Sequence, residues 1–222
     1  ANPGLVYCSI TGFGSGEGAT LPGYDLLVQA VGGLMSITGP EPGQPTKVGV
    51  ALVDVLTGLH ATIGILAALR HREQTGEGQH LEVSLLTSLL SGLVNQSSAV
   101  IGAGVVPGIL GNGHPSIVPY NSFHAADRDI IIAVGNDRQF TSLCQIMDRD
   151  DLATDPRFSG NPDRVTNREA LEAELNRTLS TRPAAHWLEL CASENVPAGP
   201  INSLDDVFAD PQHPYTRGLL AS

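Results

Sequence analysis

Between Glu41 and Glu73 the chain carries a single acidic residue, Asp54, inside a run of small and apolar residues from Val48 to Leu69. A stretch of that length must become one long element. Its Val, Ala, Leu and Gly pattern fits a buried core helix starting near Gly49, after the loop Pro45-Thr46-Lys47. The run could span a bilayer by length, but Asp54, His60, the interspersed Gly and Thr, and the lack of flanking aromatics argue against that. Asp54 would then lie near the amino end of a helix, where the dipole and free N–H groups favour an anion. A carboxylate among apolar side chains costs desolvation energy unless its charge is stabilised. Two readings follow: a poised, partly desolvated nucleophile, or a buried Asp that caps or hydrogen-bonds backbone.

The 222 residues allow one large domain or two small ones, and a 41% hydrophobic content supports a buried core. A formal net charge of −11 argues against nucleic acid or an anionic membrane as partner. It leaves room for a small anionic ligand at a local site. Cys8, Cys144 and Cys191 are odd in number and widely spaced, so neither a disulfide framework nor a zinc ribbon is expected. A reducing, cytoplasmic setting fits, or a mitochondrial one in a eukaryote. No signal peptide is read at the N-terminus.

Leu5–Ile10 reads as a buried strand entering a glycine loop, and Asp25–Met35 as a helix broken by Gly39-Pro40. Gln79–Ser84 reads as a short strand and Leu85–Ile101 as helical. Strand, helix, helix, strand, helix implies an α/β layer with parallel pairing. The texture changes at Gly102–Gly113. Beyond it come strands at Ile117–Phe123 and Asp129–Val134, split by a turn at Ala126–Arg128. Helices are expected near Arg138–Met147, Thr166–Ser180 and Ala184–Glu194, then a stiff linker at Val196–Pro200 and a short helix at Leu204–Phe208. The chain opens within a few residues of what reads as a central strand, with no βαβ unit ahead of it, which suggests a fragment.

Gly12–Gly18 follows a strand but does not fit GxGxxG, has no Walker lysine, and contains Glu17. A lid or plain loop is the better reading. The seven histidines form no HExxH or i, i+4 His pair, so no metal site is expected. His60 falls on a different helix face from Asp54 and reads as a core histidine. His114 lies in Gly111-Asn-Gly-His-Pro115, where it serves a turn or, through close backbone approach, a ligand. Asp148, Asp150 and Asp151 around Arg149 read as a solvated surface turn.

In order along the chain, the runs Asn2–Gly14, Pro22–Asp25, Gly32–Gly39, Val48–Asp54, Ile65–Leu69, Arg72–Gln79, Gly111–Pro115, Gly135–Phe140 and Val196–Ile201 resemble the class III CoA-transferases, the CaiB/BaiF or formyl-CoA transferase-like family. The resemblance implies that Asp54 is the nucleophile. It places Tyr24 at an active-site position, Gly23 and Asp25 beside the bound CoA chain, and Leu85 as an apolar contact to CoA. Gly111, Asn112, Gly113 and His114 would form a glycine-rich loop covering the aspartate.

It further implies a partial Rossmann-like large domain over residues 1–105, a smaller α+β domain over 106–200, and a return segment over 201–222. An interlocked homodimer is expected for the full-length chain. The substrates would be an acyl-CoA thioester and a small acid, dicarboxylic acids such as succinate included, with no tightly bound cofactor and no metal. Lys47 or His114 would meet a distal carboxylate. An α-methylacyl-CoA racemase is the alternative, although those relatives usually carry His where this chain has Tyr24, and tyrosine is a poor acid/base at neutral pH. A catalytically silent dimerisation module is the third reading.

Overall fold

The computed structural model describes residues 2–209 and Arg217. The chain divides into two units that meet at Gly111 and Asn112. Of the expected return segment, the part beyond Ala209 lies outside the described residues, Arg217 apart.

The first unit is built on two parallel strands, β1 (Tyr7–Thr11) and β2 (His80–Ser84), in register from Tyr7–His80 to Thr11–Ser84. Parallel neighbours need a long crossover. Here it consists of α1 (Asp25–Val31), a 3₁₀ turn at Leu34–Ser36, and the 24-residue α2 (Leu52–Thr75). Gly76 closes α2 in the left-handed conformation (φ 81°), its N–H reaching Arg72 O. Ser84 caps α3 (Leu85–Gly92) by accepting from Thr87 N at 3.2 Å. The single helix expected over Leu85–Ile101 is broken at Leu93. There α4 (Val94–Ala103) leaves at 81°, with Val94 at φ 41°.

Three expectations for this unit change. Helix α2 begins at Leu52 rather than Gly49. β1 is not buried, for Tyr7 is 57% and Ile10 55% exposed. Nor is α2 a buried helix within the unit. Only Val53, Thr57, Ala61 and Ala68 are buried, while Val55, Leu59, Ile63 and Leu66 form an exposed stripe at helical spacing. The two strands and the helices α1 and α3 that pack on α2 provide too little surface to cover its wide apolar face.

The second unit has an antiparallel sheet in the order β3 (Tyr120–His124), β4 (Asp129–Ala133), β5 (Ala198–Pro200). Ala125 and Arg128 close the β3–β4 hairpin. The stretch expected to be a stiff linker is thus the third strand. The sheet packs under α5 (Asp137–Ile146), α6 (Asp150–Thr154), α7 (Asn161–Thr166), α8 (Arg168–Leu179) and α9 (Ala184–Ser193), with α10 (Leu204–Ala209) following β5. Phe123, Ile130, Ile132, Leu143, Phe158, Leu171, Leu175 and Leu179 fill the core. Arg164 is buried among them, donating to Val118 O (2.8 Å), Phe158 O (3.1 Å) and Asp137 (2.6 Å) and lying over the Phe140 ring.

The Asp148–Asp151 stretch is more than a solvated turn. Arg149 makes a two-point contact with Asp151 and reaches Glu174 at 3.0 Å, joining α6 to α8.

Candidate functional site

Helix α2 has no capping side chain of its own, since Ala51 occupies its N-cap position. The cap comes from α1. Asp25 Oδ1 accepts from Val53 N at 2.7 Å and from Asp54 N at 3.3 Å. Asp25 Oδ2 accepts from Gln29 Nε2 at 2.6 Å, and Gln29 Oε1 accepts from Val48 N at 2.9 Å. Gln29 is fully buried. The Asp25–Gln29 pair therefore fixes both the first turn of α2 and the loop leading into it.

This arrangement alters two expectations for Asp54. Its carboxylate stands exposed in the first turn of α2 rather than partly desolvated. The amides around it are also engaged: Leu52 N with Val50 O, Val53 N and Asp54 N with Asp25, and Val55 N with Ala51 O. They leave no spare N–H at the helix end to receive a second anion.

The expected site residues of the first unit meet at one end of its sheet. Val53 packs with Val28, Leu85 and Leu89, and Leu85 directly follows the carboxyl end of β2. Asp54 thus lies beyond the carboxyl ends of the parallel strands, where open α/β sheets bind ligands. Tyr24 is 72% exposed at the N-cap of α1. Leu85 is a core side chain in this unit, 8% exposed.

Gly23 has a packing role of its own. A Cβ there would stand 2.3 Å from the Cα of Gly12, so only glycines let the two segments touch. A small cavity of about 190 Å³ opens nearby, lined by Thr11, Gly14, Ser15, Glu82, Val83, Ser84 and Thr87. Glu82 makes it a poor phosphate cradle. His60 is half-buried on α2, and Lys47 Nζ donates to Val48 O at 3.1 Å.

Gly111 takes φ 58°, and a Cβ would come within 2.9 Å of Pro40 O. Past it, Asn112 donates from Nδ2 to Ser122 Oγ at 3.2 Å, while His114 N donates to Tyr120 O at 3.1 Å. His114 Nδ1 accepts from Ser116 N at 3.2 Å, the turn role anticipated for it. No described residue accepts from the amides of Asn112 or Gly113. Two residues that the sequence did not single out do much of the holding. Gln29 carries a faint signal in its i+4 spacing from Asp25, and Arg168, which donates to His114 O at 2.7 Å, carries none.

Cys144 and Cys191 are buried thiols, pushed by burial up to about 12 and about 11, and are unsuited to nucleophilic work.

Residues 1–221 match the family described as CoA-transferase family III. The chain belongs to CoA-transferase family III. It is 45% identical over 224 residues to a succinate–glutarate CoA-transferase of Agrobacterium fabrum, covering 98% of this chain and 54% of that protein. It is 41% identical to an acetyl-CoA:oxalate CoA-transferase of Acetobacter aceti, covering 100% and 57%. A CaiB/BaiF family protein from Brucella suis, at 43% identity, superposes with a TM-score of 0.83 over 98% of this chain and 57% of that one. The family III chain described here spans about half the length of the curated relatives it matches.

Proposed function

We propose that the full chain transfers coenzyme A from an acyl-CoA to a free carboxylic acid, with Asp54 as covalent nucleophile. The observation that carries this reading is the capped first turn of α2, which presents the Asp54 carboxylate at the carboxyl end of the sheet of a family III chain.

In the proposed cycle Asp54 attacks the thioester carbonyl of the donor. The C–S bond breaks, leaving an aspartyl–acyl anhydride and CoA thiolate. The thiolate attacks the aspartyl carbonyl, expelling the donor acid and leaving an aspartyl-CoA thioester. The acceptor carboxylate then runs the two steps in reverse. No net proton is consumed, and one difficult exchange is divided into steps of similar difficulty. Each attack creates an oxyanion, for which a preorganised donor is typically worth about 3 kcal/mol.

The acceptor is a small dicarboxylic acid. Support comes from the relatives named for succinate, glutarate and oxalate. An interlocked homodimer in a reducing compartment completes the reading, consistent with three free cysteines.

The test is intact-mass and peptide analysis of the full chain after incubation with succinyl-CoA, with hydroxylamine trapping. A hydroxamate or CoA adduct on the Asp54 peptide, absent from Asp54→Ala, is the expected result. Acyl-CoA binding with α-proton exchange and no adduct would replace transfer by racemase chemistry.

A further inference from the structure

One buried amide joins the two segments that carry Asp25 and Asp54. Gln29 lies on α1 with no exposed surface. Its Nε2 donates to Asp25 Oδ2 at 2.6 Å, one helical turn back, and its Oε1 accepts from Val48 N at 2.9 Å. Asp25 Oδ1 in turn accepts from Val53 N at 2.7 Å and from Asp54 N at 3.3 Å. The stretch from Val48 to Asp54 is therefore tied to α1 at both ends. Gln29 itself holds the entry, and an acid that Gln29 orients holds the exit.

This network admits one orientation of the amide. Turned over, Gln29 would set Nε2 against the Val48 N–H and Oε1 against a carboxylate oxygen. A glutamate of the same length could still accept from Val48 N but would face Asp25 with a second carboxylate. Lysine or arginine could donate to Asp25 but accept nothing. A buried polar group left in such a mismatch bears its full desolvation penalty, so the position calls for one donor and one acceptor in a fixed plane.

We propose that Gln29 is a positioning residue for the transfer reaction, setting the place of the Asp54 carboxylate through Asp25 without touching substrate. Its hydrogen-bond polarity, rather than its bulk, then controls the rate of the covalent steps. The inference rests on the transferase reading for its kinetic consequence, while the frame of hydrogen bonds does not depend on that reading. A nucleophile must meet the thioester carbonyl at close range and in line, and a misplacement of about 1 Å costs on the order of a hundredfold in rate. Full burial keeps Gln29 itself out of reach of a ligand, so its exchange should spare acyl-CoA affinity.

The experiment compares the full chain with its Gln29→Glu form and with the double form Asp25→Asn, Gln29→Glu. In the double form the new amide at position 25 donates to the new carboxylate at position 29. The acceptors for the Val48, Val53 and Asp54 N–H groups all remain. Gln29→Glu should speed hydrogen exchange of the 48–55 peptide by about tenfold while leaving the 129–134 peptide of β4 unchanged, as local opening requires. It should lower kcat by about a hundredfold with the KM for acyl-CoA unchanged. The double form should recover about tenfold in kcat or more, the non-additivity expected of directly bonded partners.

Unchanged exchange at 48–55 in folded Gln29→Glu overturns the frame. Faster exchange with an unchanged kcat, or a loss confined to KM, overturns the positioning role. A double form no faster than Gln29→Glu overturns the dependence on hydrogen-bond polarity. If Gln29→Glu does not fold, Gln29→Met, which keeps the bulk and removes both bonds, carries the first two comparisons. An unmodified chain that performs no transfer overturns the proposed function and with it the kinetic role, and the exchange data still judge the frame.

Discussion

Asp25 accepts the backbone N–H of Asp54, so one acid caps the helix that carries the other. The bond is 3.3 Å, and the same Asp25 oxygen takes Val53 N at 2.7 Å. A cap normally comes from the residue just before the helix. Here it arrives from another helix, which couples the orientation of Asp54 to the packing of α1 on α2.

Asp25→Ala should therefore lower stability by about 1–2 kcal/mol, the usual cost of a lost cap and its orphaned donors. Asp25→Asn keeps an acceptor oxygen and should lose less. Urea unfolding of the three proteins checks the order. A transfer rate that falls in Asp25→Ala while acyl-CoA affinity holds would show that the cap orients Asp54 rather than contacting CoA.

Gly23→Ala puts a Cβ against Gly12 Cα, a contact that forces backbone to move. Overpacking of this kind costs about 1–3 kcal/mol. The thermal midpoint should fall even in the absence of any ligand. An unchanged midpoint would leave CoA contact as the sole reason for glycine at this position.

Arg164→Ala removes the donors to Val118 O and Phe158 O and leaves a void against Phe140. The expected loss is about 2–4 kcal/mol from cavity and orphaned carbonyls together. Its partner Asp137 is 66% exposed and rehydrates, so Asp137→Asn should cost far less. Denaturant midpoints for both variants test the asymmetry.

Stability should decline at both ends of the pH scale for identifiable reasons. Hydrogen bonds from Arg149 hold the Asp151 carboxyl below its ordinary range, and those from Arg177 and then Arg149 do the same for Glu174. That contribution is present above pH 4–5, roughly the unfolded carboxylate range, and is lost as pH falls below it. On the alkaline side, burial lifts Cys144 to about 12 and Cys191 to about 11. An unfolded thiol ionises near pH 8.5, roughly, so stability falls as pH rises from there toward the folded values. Cys144→Ala should flatten the alkaline slope in equilibrium unfolding. In native protein, a thiol reagent should label Cys8 ahead of the other two.

Much of the architecture was readable because its signals are local. The hairpin turn at Ala126–Arg128 and the helices near Thr166–Ser180 and Ala184–Glu194 each involve residues close in sequence, whereas the helix expected over Asp25–Met35 stops early, at Val31, with Gly32 and Gly33 following. The start of α2 was not readable, because nothing between Val48 and Ala51 can cap a helix and the capping side chain is Asp25. The strand at Ala198–Pro200 was missed for a related reason. Its Pro-Ala-Gly-Pro composition reads as a linker, and pairing with β4 alone makes it a strand.

By itself the sequence determined that Asp54 opens a long apolar helix, that Gly111–His114 forms a loop, and that the chain resembles the CoA-transferases. Composition and short-range spacing suffice for the first two, and the matching runs in their order along the chain carry the resemblance. Tertiary structure decided which groups surround these residues. It spent the N–H groups beside Asp54 on Asp25, gave Gly23 a neighbour in Gly12, and brought Arg168 under His114. Such partners stand 11 to 54 positions apart, and hydrogen bonds across that separation exist only once the elements between them have packed.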